Sequence, residues 1–543
     1  MLSKLRRRNA GPPPDPNSIN YTTEHVSLAK TISRRRRLIA TFWKHVDKIQ
    51  QVFGLIVLGL GWLIALPYEG LWKRTFVDEH ALQPAQVNVY FDWGNVHKAD
   101  LYLGELEKLG NSTFESRTNY LQNAFSLAGL DTGNTSTATY AHVTPPRSAG
   151  TETIIVSANW LSRDGELNLR GIATLLALGD FLRGQNHWAF DLVLIVGEGY
   201  QEGLAGFMKS YYELFSGVVW TGLNIDYPGH SFSHLGLFYE GTNGRLPNQD
   251  IINTVSQIAQ STAGVPIRYH NIPDEPGTWS TTGIQWLGNY VLGAKHLLHH
   301  LLFAASGRAS GGHGLLAKYR IDALTLYCTP AQGPHGFHTL GRTVESTLRS
   351  YNNLLERLHA SFFFYLLPRP HYFIPVGHYL PAAVLLGASL TIGGFKIPNP
   401  VKGLSCVTGA IVISCVSWAT GLPLYPVMPM AVYLIKPKDS IVKSLKSLSL
   451  LLYGALIPTL AMVNFPQSIV LAIFSIAHLL LPGWLKMVPL MAEPTLLALL
   501  LNWKGFDLER EWLALGNLAW VGYWSILTPL WTIGTTLVFL GQK

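Results

Sequence analysis

Seven apolar runs crowd the last third of this 543-residue chain and constrain its fold more than any other feature. They are His371–Phe395, Gly403–Thr420, Leu422–Ile435, Ser447–Asn464, Ser468–Trp484, Met487–Leu501 and Trp512–Leu540. An eighth, Val52–Trp72, stands near the N-terminus and carries no charge until Glu69. Roughly 17–25 apolar residues cross a bilayer as a helix, because hydrocarbon offers no water to open backbone groups. Segment 422–435 is shorter and broken by proline, so charge decides it. If it spans, Lys396, Lys402, Lys436, Lys438, Lys443, Lys446 and Lys486 share a side with the N-terminal arginines. The resistance of Lys and Arg to translocation favours that arrangement. The reading is eight spans with both termini cytosolic.

Charge supports this topology. Residues 1–50 hold eleven Lys or Arg against three Asp or Glu, which equals the net excess of +8 for the whole chain. Basic residues just ahead of an apolar span fix orientation, so nucleic acid is not the expected partner. Residues 1–38, rich in Arg, Pro and Asn, read as a disordered basic cytosolic tail. Residues 39–72 read as a signal-anchor transmembrane helix, placed too far from residue 1 for an ordinary cleaved signal peptide. Cys328, Cys406 and Cys415 supply neither a disulfide framework nor a CxxC metal site.

Residues 73–350 have a different character. Strand-like runs (TETIIVSA, FDLVLIVG, VVWTGLNID, IDALTLYC) alternate with helical patterns such as GIATLLALGDFL and NQDIINTVSQIAQSTA. That alternation predicts an α/β domain, with helices covering a largely parallel sheet. Two sequons beginning at Asn111 and Asn134 fall between these elements and suit a luminal domain that carries glycans. Residues 351–370 are expected to form an amphipathic helix entering the membrane, ahead of a multi-span bundle over 371–543.

Thr153 to Phe207 resembles the core of the M28 zinc aminopeptidases, a family that hydrolyses with two zinc ions and a carboxylate base. The scaffold matches, but the ligands do not. The turn reads Leu167-Asn168-Leu169-Arg170-Gly171, so Leu167 stands where the resemblance implies a zinc-bridging Asp. Tyr200-Gln201 replaces the implied Glu pair ahead of Glu202-Gly203-Leu204-Ala205-Gly206, and Ser157 to Trp160 contains no His. Only Asp226 and His313 keep ligand-type side chains, with Glu198 nearby in sequence as a third vestigial position. Two ligands fall short of the three protein ligands of a catalytic zinc. No zinc and no catalytic residue are therefore expected. Asp226 also reads as a strand-end acid bonded to backbone N–H groups, and His313 as an ordinary loop histidine.

Asn353-Leu-Leu-Glu-Arg-Leu-His-Ala-Ser-Phe-Phe-Phe-Tyr-Leu-Leu-Pro368 resembles the signature of the GPI-attachment subunit of GPI transamidase. Glu240 to Asn248 and His313 to Thr325 fit the same family. The resemblance implies an endoplasmic-reticulum membrane protein with a luminal M28-like domain, working in a complex. A caspase-like cysteine protease subunit would cleave a precursor protein with a C-terminal GPI signal and pass the acyl group to the GPI glycolipid. This chain would recruit or orient that lipid without proteolysis. Two alternatives remain open: an active zinc metallo-aminopeptidase or zinc-dependent peptide-bond synthetase, and a polytopic transporter.

The run Trp512–Leu540 exceeds the length needed to cross and contains Pro529, which removes a helical hydrogen bond and favours a kink. The family associates its last, proline-containing span with GPI. Pro529, Thr528, Tyr523 and Trp524, with Trp520 and Trp531 beside them, are therefore the GPI-binding candidates.

Overall fold

The computed structural model describes residues 33–37, 48–76, 90–273, 285–353, 364–435, 437–481 and 508–540. The chain lays down β1 (Lys73–Arg74), β2 (Asp131–Asn134), β3 (Ala138–Val143), β4 (Glu152–Asn159), β5 (Asp191–Gly197) and β6 (Val218–Asp226). It continues through β7 (Phe232–Phe238), β8 (Ile267–Tyr269), β9 (Asp322–Pro330), β10 (Tyr365–Arg369) and β11 (Tyr372–Pro375).

The four apolar runs read as strands become β4, β5, β6 and β9, adjacent in an eight-stranded sheet ordered β2-β3-β5-β4-β6-β9-β7-β8. Successive side chains in a strand face opposite sides, so a run apolar throughout must be covered on both. Ile154, Val156, Leu192 and Leu194 meet helix Leu169–Arg183 on one face. Ile155, Val193 and Ile195 meet Phe207, Met208 and Tyr211 of helix Glu202–Leu214 on the other.

The sheet is mixed rather than largely parallel. β4 pairs in parallel with β5 and β6, β6 with β9, and β7 with β8. The pairings β2–β3, β3–β5 and β7–β9 are antiparallel. The edge strand β2 reads Asp-Thr-Gly-Asn, with no apolar pattern to announce it.

By length and composition, three described helices can cross a membrane: Val376–Gly394, Pro400–Thr420 and Asp439–Val463. Ile49–Ala65 and Phe465–Leu479 are shorter apolar helices. The described residues thus do not establish eight spans. The anchor helix stops at Ala65 rather than Trp72, since a residue before proline (here Leu66, before Pro67) is disfavoured in α conformation. Segment 422–435 contains only the helix Val427–Ile435, cut short by Pro423 and Pro426. Lys443 and Lys446 lie in the first turns of helix Asp439–Val463. Met487–Leu501 lies outside the described residues. Helices Val376–Gly394 and Asp439–Val463 pack backbone to backbone. A Cβ on Gly387 would stand 2.8 Å from the Gly454 carbonyl oxygen.

Two further expectations fail for local reasons. Residues 354–363 lie outside the described residues, but Tyr365–Arg369 is a strand and not the end of an amphipathic helix. Pro368 has no N–H for a helical bond, and the segment instead pairs with β11. β11 pairs in turn with β1, making a three-stranded collar where the domain meets the helical region. The final run is not one bent helix. Helix Leu508–Leu515 ends at Gly516, whose φ of 75° suits glycine. Helix Ala519–Gly522, a π-turn over Tyr523–Leu527 and helix Thr528–Phe539 follow. The proline kink is absorbed by that π-turn, in which the Thr528 hydroxyl donates to the Tyr523 carbonyl at 3.0 Å.

Candidate functional site

Parallel strands of an α/β sheet present their carboxyl ends to a crevice, where ligands of such folds bind. Here β4, β5 and β6 end at Asn159, Gly197 and Asp226. What these ends hold is a set of neutral, mutually bonded side chains. Asn224 donates to the Ser157 hydroxyl at 3.0 Å and accepts from the Thr325 hydroxyl at 3.2 Å. Thr325 Oγ1 also meets His313 Nδ1 at 2.8 Å. Because the Thr325 hydrogen goes to Asn224, Nδ1 is the donor to Thr325. Burial pushes His313 down to about 4, so the ring is uncharged at neutral pH.

The other sequence-predicted positions are also committed. Leu167 bridges to Leu161 and packs against the core. Its neighbour Asn168, 1% exposed, ties two strand ends together. Its amide donates to the carbonyls of Asn159 at 2.9 Å and Ile225 at 3.0 Å, and its oxygen accepts from Tyr227 N at 2.7 Å. The Tyr200 carbonyl accepts from the Asn159 amide, and Gln201 Nε2 donates to the Gly311 carbonyl at 3.1 Å. Glu198 pairs with Arg117 at 2.8 Å, whose guanidinium lies over Trp160. Asp226, 2% exposed, accepts from Arg163 N at 3.1 Å. Burial pushes its carboxyl up to about 6, although bonds from Ser162 and the Arg163 N–H pull it down. These residues do not fit the zinc ions that an M28-type site would carry. Glu198 is spent on Arg117 and an apolar Leu167 fills a ligand position. Among the described residues no three His, Cys, Asp or Glu side chains are grouped to hold a metal.

A cavity of about 370 Å³ opens above Tyr200, Gln201 and Arg163. Its far wall is helix Leu508–Leu515, from the broken final run. Arg308 pairs with Glu511 at 2.5 Å, and Asn517 donates to the Ser306 carbonyl at 3.1 Å. The crevice is therefore bounded by the helical region as well as the sheet.

Behind it lies a cluster that the sequence reading assigned to no chemistry. Glu240, at the end of β7, is fully buried between His270 Nε2 and His300 Nδ1, each 2.8 Å away. Burial alone would raise this carboxyl, yet the charges and hydrogen bonds of His270 and His300 hold it well below the usual carboxylate range. Three residues on, Asn243 sits at φ 65° and joins three parts of the chain. Its side chain accepts from Leu518 N at 2.6 Å and donates to the Gly516 carbonyl at 3.2 Å. Its carbonyl accepts from Asn464 Nδ2 at 2.9 Å, and the same amide nitrogen reaches the Ala304 carbonyl at 2.8 Å. The Glu240–Asn248 stretch signalled this junction only as a family match. Nothing in the spacing of Glu240, His270 and His300 announces a cluster.

The GPI-binding candidates are mostly inward. Thr528, Pro529 and Tyr523 are buried, and Trp524 is half-buried. The indole N–H groups of Trp520 and Trp524 are buried and meet no acceptor among the described residues.

The α/β domain is similar to the LapA aminopeptidase of Legionella pneumophila, at 11% identity and a TM-score of 0.32, covering 52% of this chain and 80% of that one. It is likewise similar to a glutaminyl cyclase of Fimbriiglobus ruber, at 12% identity and a TM-score of 0.34, covering 51% and 100%. In sequence, the chain is 28% identical over 392 residues to the GPI transamidase component gaa1 of Schizosaccharomyces pombe, covering 66% of each chain. It is 27% identical over 408 residues to the GPI transamidase component GAA1 of Saccharomyces cerevisiae, covering 72% of this chain and 63% of that relative. The matched part thus spans just under two thirds of both relatives. Residues 135–399 match the family described as Gaa1-like, GPI transamidase component, and they contain β3 to β11, the neutral crevice and the Glu240 cluster. Over residues 135–399 and in the two yeast relatives, the chain is thus similar to the Gaa1-like GPI transamidase components.

Proposed function

We propose that this protein is a non-proteolytic subunit of the endoplasmic-reticulum GPI transamidase, recruiting or orienting the GPI lipid for attachment to protein C-termini. The observation that carries the non-proteolytic part is the crevice itself. Where a hydrolase needs an activated water and a carboxylate base, Ser157, Asn224, Thr325 and neutral His313 bond one another. The domain works without zinc on this reading. The family match favours this role over a metallo-aminopeptidase, a peptide-bond synthetase or a transporter.

The partners are a caspase-like cysteine protease subunit, further membrane subunits, the GPI glycolipid and the precursor protein. The N-terminus lies in the cytosol and the α/β domain in the lumen. Exposure of both Asn111 and Asn134 supports that orientation and their glycosylation. The GPI site uses the π-turn ahead of Pro529. There, the unmatched indole donors of Trp520 and Trp524 suit a glycan hydroxyl at the edge of the bundle.

The test is purification of the tagged full chain from mild-detergent membranes, with its companions quantified by mass spectrometry. A caspase-like cysteine protease recovered in stoichiometric amount supports the proposal. Recovery of the chain alone, with aminopeptidase activity, overturns it.

A further inference from the structure

The far wall of the crevice differs from the rest of its lining. Arg163, Tyr200 and Gln201 belong to loops that close the sheet, whereas the wall opposite them is helix Leu508–Leu515. From Glu509 to Leu515 no residue of that helix is buried, and Leu513 is 68% exposed. Its 8 residues are too few to hold a helix by their own hydrogen bonds, so its place depends on what it touches. Leu515 packs against the cluster of Phe207, Met208 and Tyr211. Glu511 pairs with Arg308 at 2.5 Å, and both line the cavity. Trp512 meets Trp418, near the end of helix Pro400–Thr420, edge to face at 5.7 Å.

The residues that follow this helix are fixed. Asn517, 2% exposed, donates to the Ser306 carbonyl at 3.1 Å, and Asn243 holds both the Gly516 carbonyl and the Leu518 N–H. Gly307, at φ 69°, leaves the room that Asn517 needs, because a Cβ there would collide with Asn517 Oδ1. The Asn517 amide also reaches Glu511 Oε2 at 3.1 Å, so the paired carboxylate touches this anchor. Between anchor and helix stands Gly516, at φ 75°. A left-handed glycine with a fixed base on one side and a helix without buried residues on the other has the build of a hinge.

We propose that helix Leu508–Leu515 is a lid on the crevice, turning on Gly516, latched by the Arg308–Glu511 pair and set by Trp418 from the helical region. Closed, it bounds the cavity of about 370 Å³; raised, it joins that cavity to solvent. Opening uncovers little apolar surface and so costs far less than opening the sheet. A shift of helix Pro400–Thr420 reaches the lid through the Trp418–Trp512 contact, which couples access to the crevice with the arrangement of the helical region. The lid stands on this geometry alone and does not depend on the transamidase reading.

The experiment is hydrogen exchange of the full chain in mild detergent, read peptide by peptide with mass spectrometry. Glu511→Arg sets two cations against each other and is expected to speed exchange in Leu508–Leu515 at least about tenfold. The amides of β4, β5 and β6 and of Asn517–Leu518 keep the parent's protection, which shows that fold and anchor survive. The swapped pair R308E/E511R returns the helix to within about threefold of the parent. Trp418→Ala, which removes the aromatic contact, speeds the same amides about threefold. Ala309→Cys places a thiol in the cavity, and its modification by a charged maleimide rises when Glu511→Arg is added. Unchanged exchange in Glu511→Arg overturns the latch, as does a rise shared equally by the sheet. A thiol at 309 whose modification ignores Glu511→Arg overturns the lid, and a silent Trp418→Ala overturns the coupling.

Discussion

The crevice at the ends of β4, β5 and β6 and the junction around Glu240 lie close together but are built on opposite principles. At the crevice, Ser157, Asn224, Thr325 and His313 bond one another, Asn159 Oδ1 and His313 Nε2 meet no partner among the described residues, and the buried acid Asp226 is pushed toward its protonated form. At the junction, a carboxylate is kept charged at full burial by two imidazoles, and Asn243 gathers backbone groups from three regions of the chain. An enzyme concentrates charge where its substrate reacts. The fully buried carboxylate that is held charged lies instead at the junction, where Glu240 meets His270 and His300. The difference teaches that polar specificity here serves the placement of parts.

Glu240→Ala should be the most damaging. Removing the fully buried carboxylate leaves both His270 Nε2 and His300 Nδ1 without their hydrogen-bond partner, at a cost of about 1–3 kcal/mol for each. A large fall in melting temperature and in the amount of chain recovered from membranes would show it. The pH sign follows from the depressed carboxyl. Its stabilisation is present above the ordinary carboxylate range and is lost as pH falls through the folded-state value. A Glu240→Ala chain as stable as its parent would break the comparison.

Asn243→Ala should cost less, about 1–3 kcal/mol, by leaving the Gly516 carbonyl and Leu518 N–H without their partner. The effect should be local. Limited proteolysis should begin near Gly516–Leu518 while the sheet stays protected, and a uniform loss of protection would contradict it.

The sheet was legible in the sequence and the junction was not, for a physical reason. β4, β5, β6 and β9 are buried on both faces, so each is a continuous apolar run that ends within about two residues of its expected limit. The departures at Leu167, Tyr200 and Gln201 were legible too, because a side chain unable to bind metal can be recognised without coordinates. The cluster joins residues brought together only by the fold: a strand end, the turn after β8 and the middle of a helix. The final run misled because hydropathy registers apolar content but not the left-handed turn at Gly516.

Asp226→Asn should move stability the other way. The folded protein holds a proton between about 3.8 and 6 that the unfolded chain has released, so this residue's contribution falls as pH rises through that window. His313 acts oppositely: pushed down to about 4, it favours folding increasingly as pH climbs toward 6.5. At neutral pH, Asp226→Asn removes a buried charge and should gain about 2 kcal/mol, with the gain vanishing below the ordinary aspartate range. Lower stability of the variant at neutral pH, together with loss of bound metal, would mark Asp226 as a ligand. The smallest effect belongs to the exposed sequons. Asn111→Gln and Asn134→Gln should each change stability by less than about 0.5 kcal/mol while removing one glycan step in gel mobility.

The central claim is that the chain serves GPI attachment through assembly and not through metal chemistry at the crevice. The most direct measurement is surface display of a GPI-anchored reporter in cells depleted of their own Gaa1-like component and supplied with this chain. The account predicts that the double variant Asp226→Asn, His313→Gln restores display to the parent level, whereas Glu240→Ala does not. A double variant that reaches the membrane at parent levels, joins its partners and still fails to restore display would contradict it.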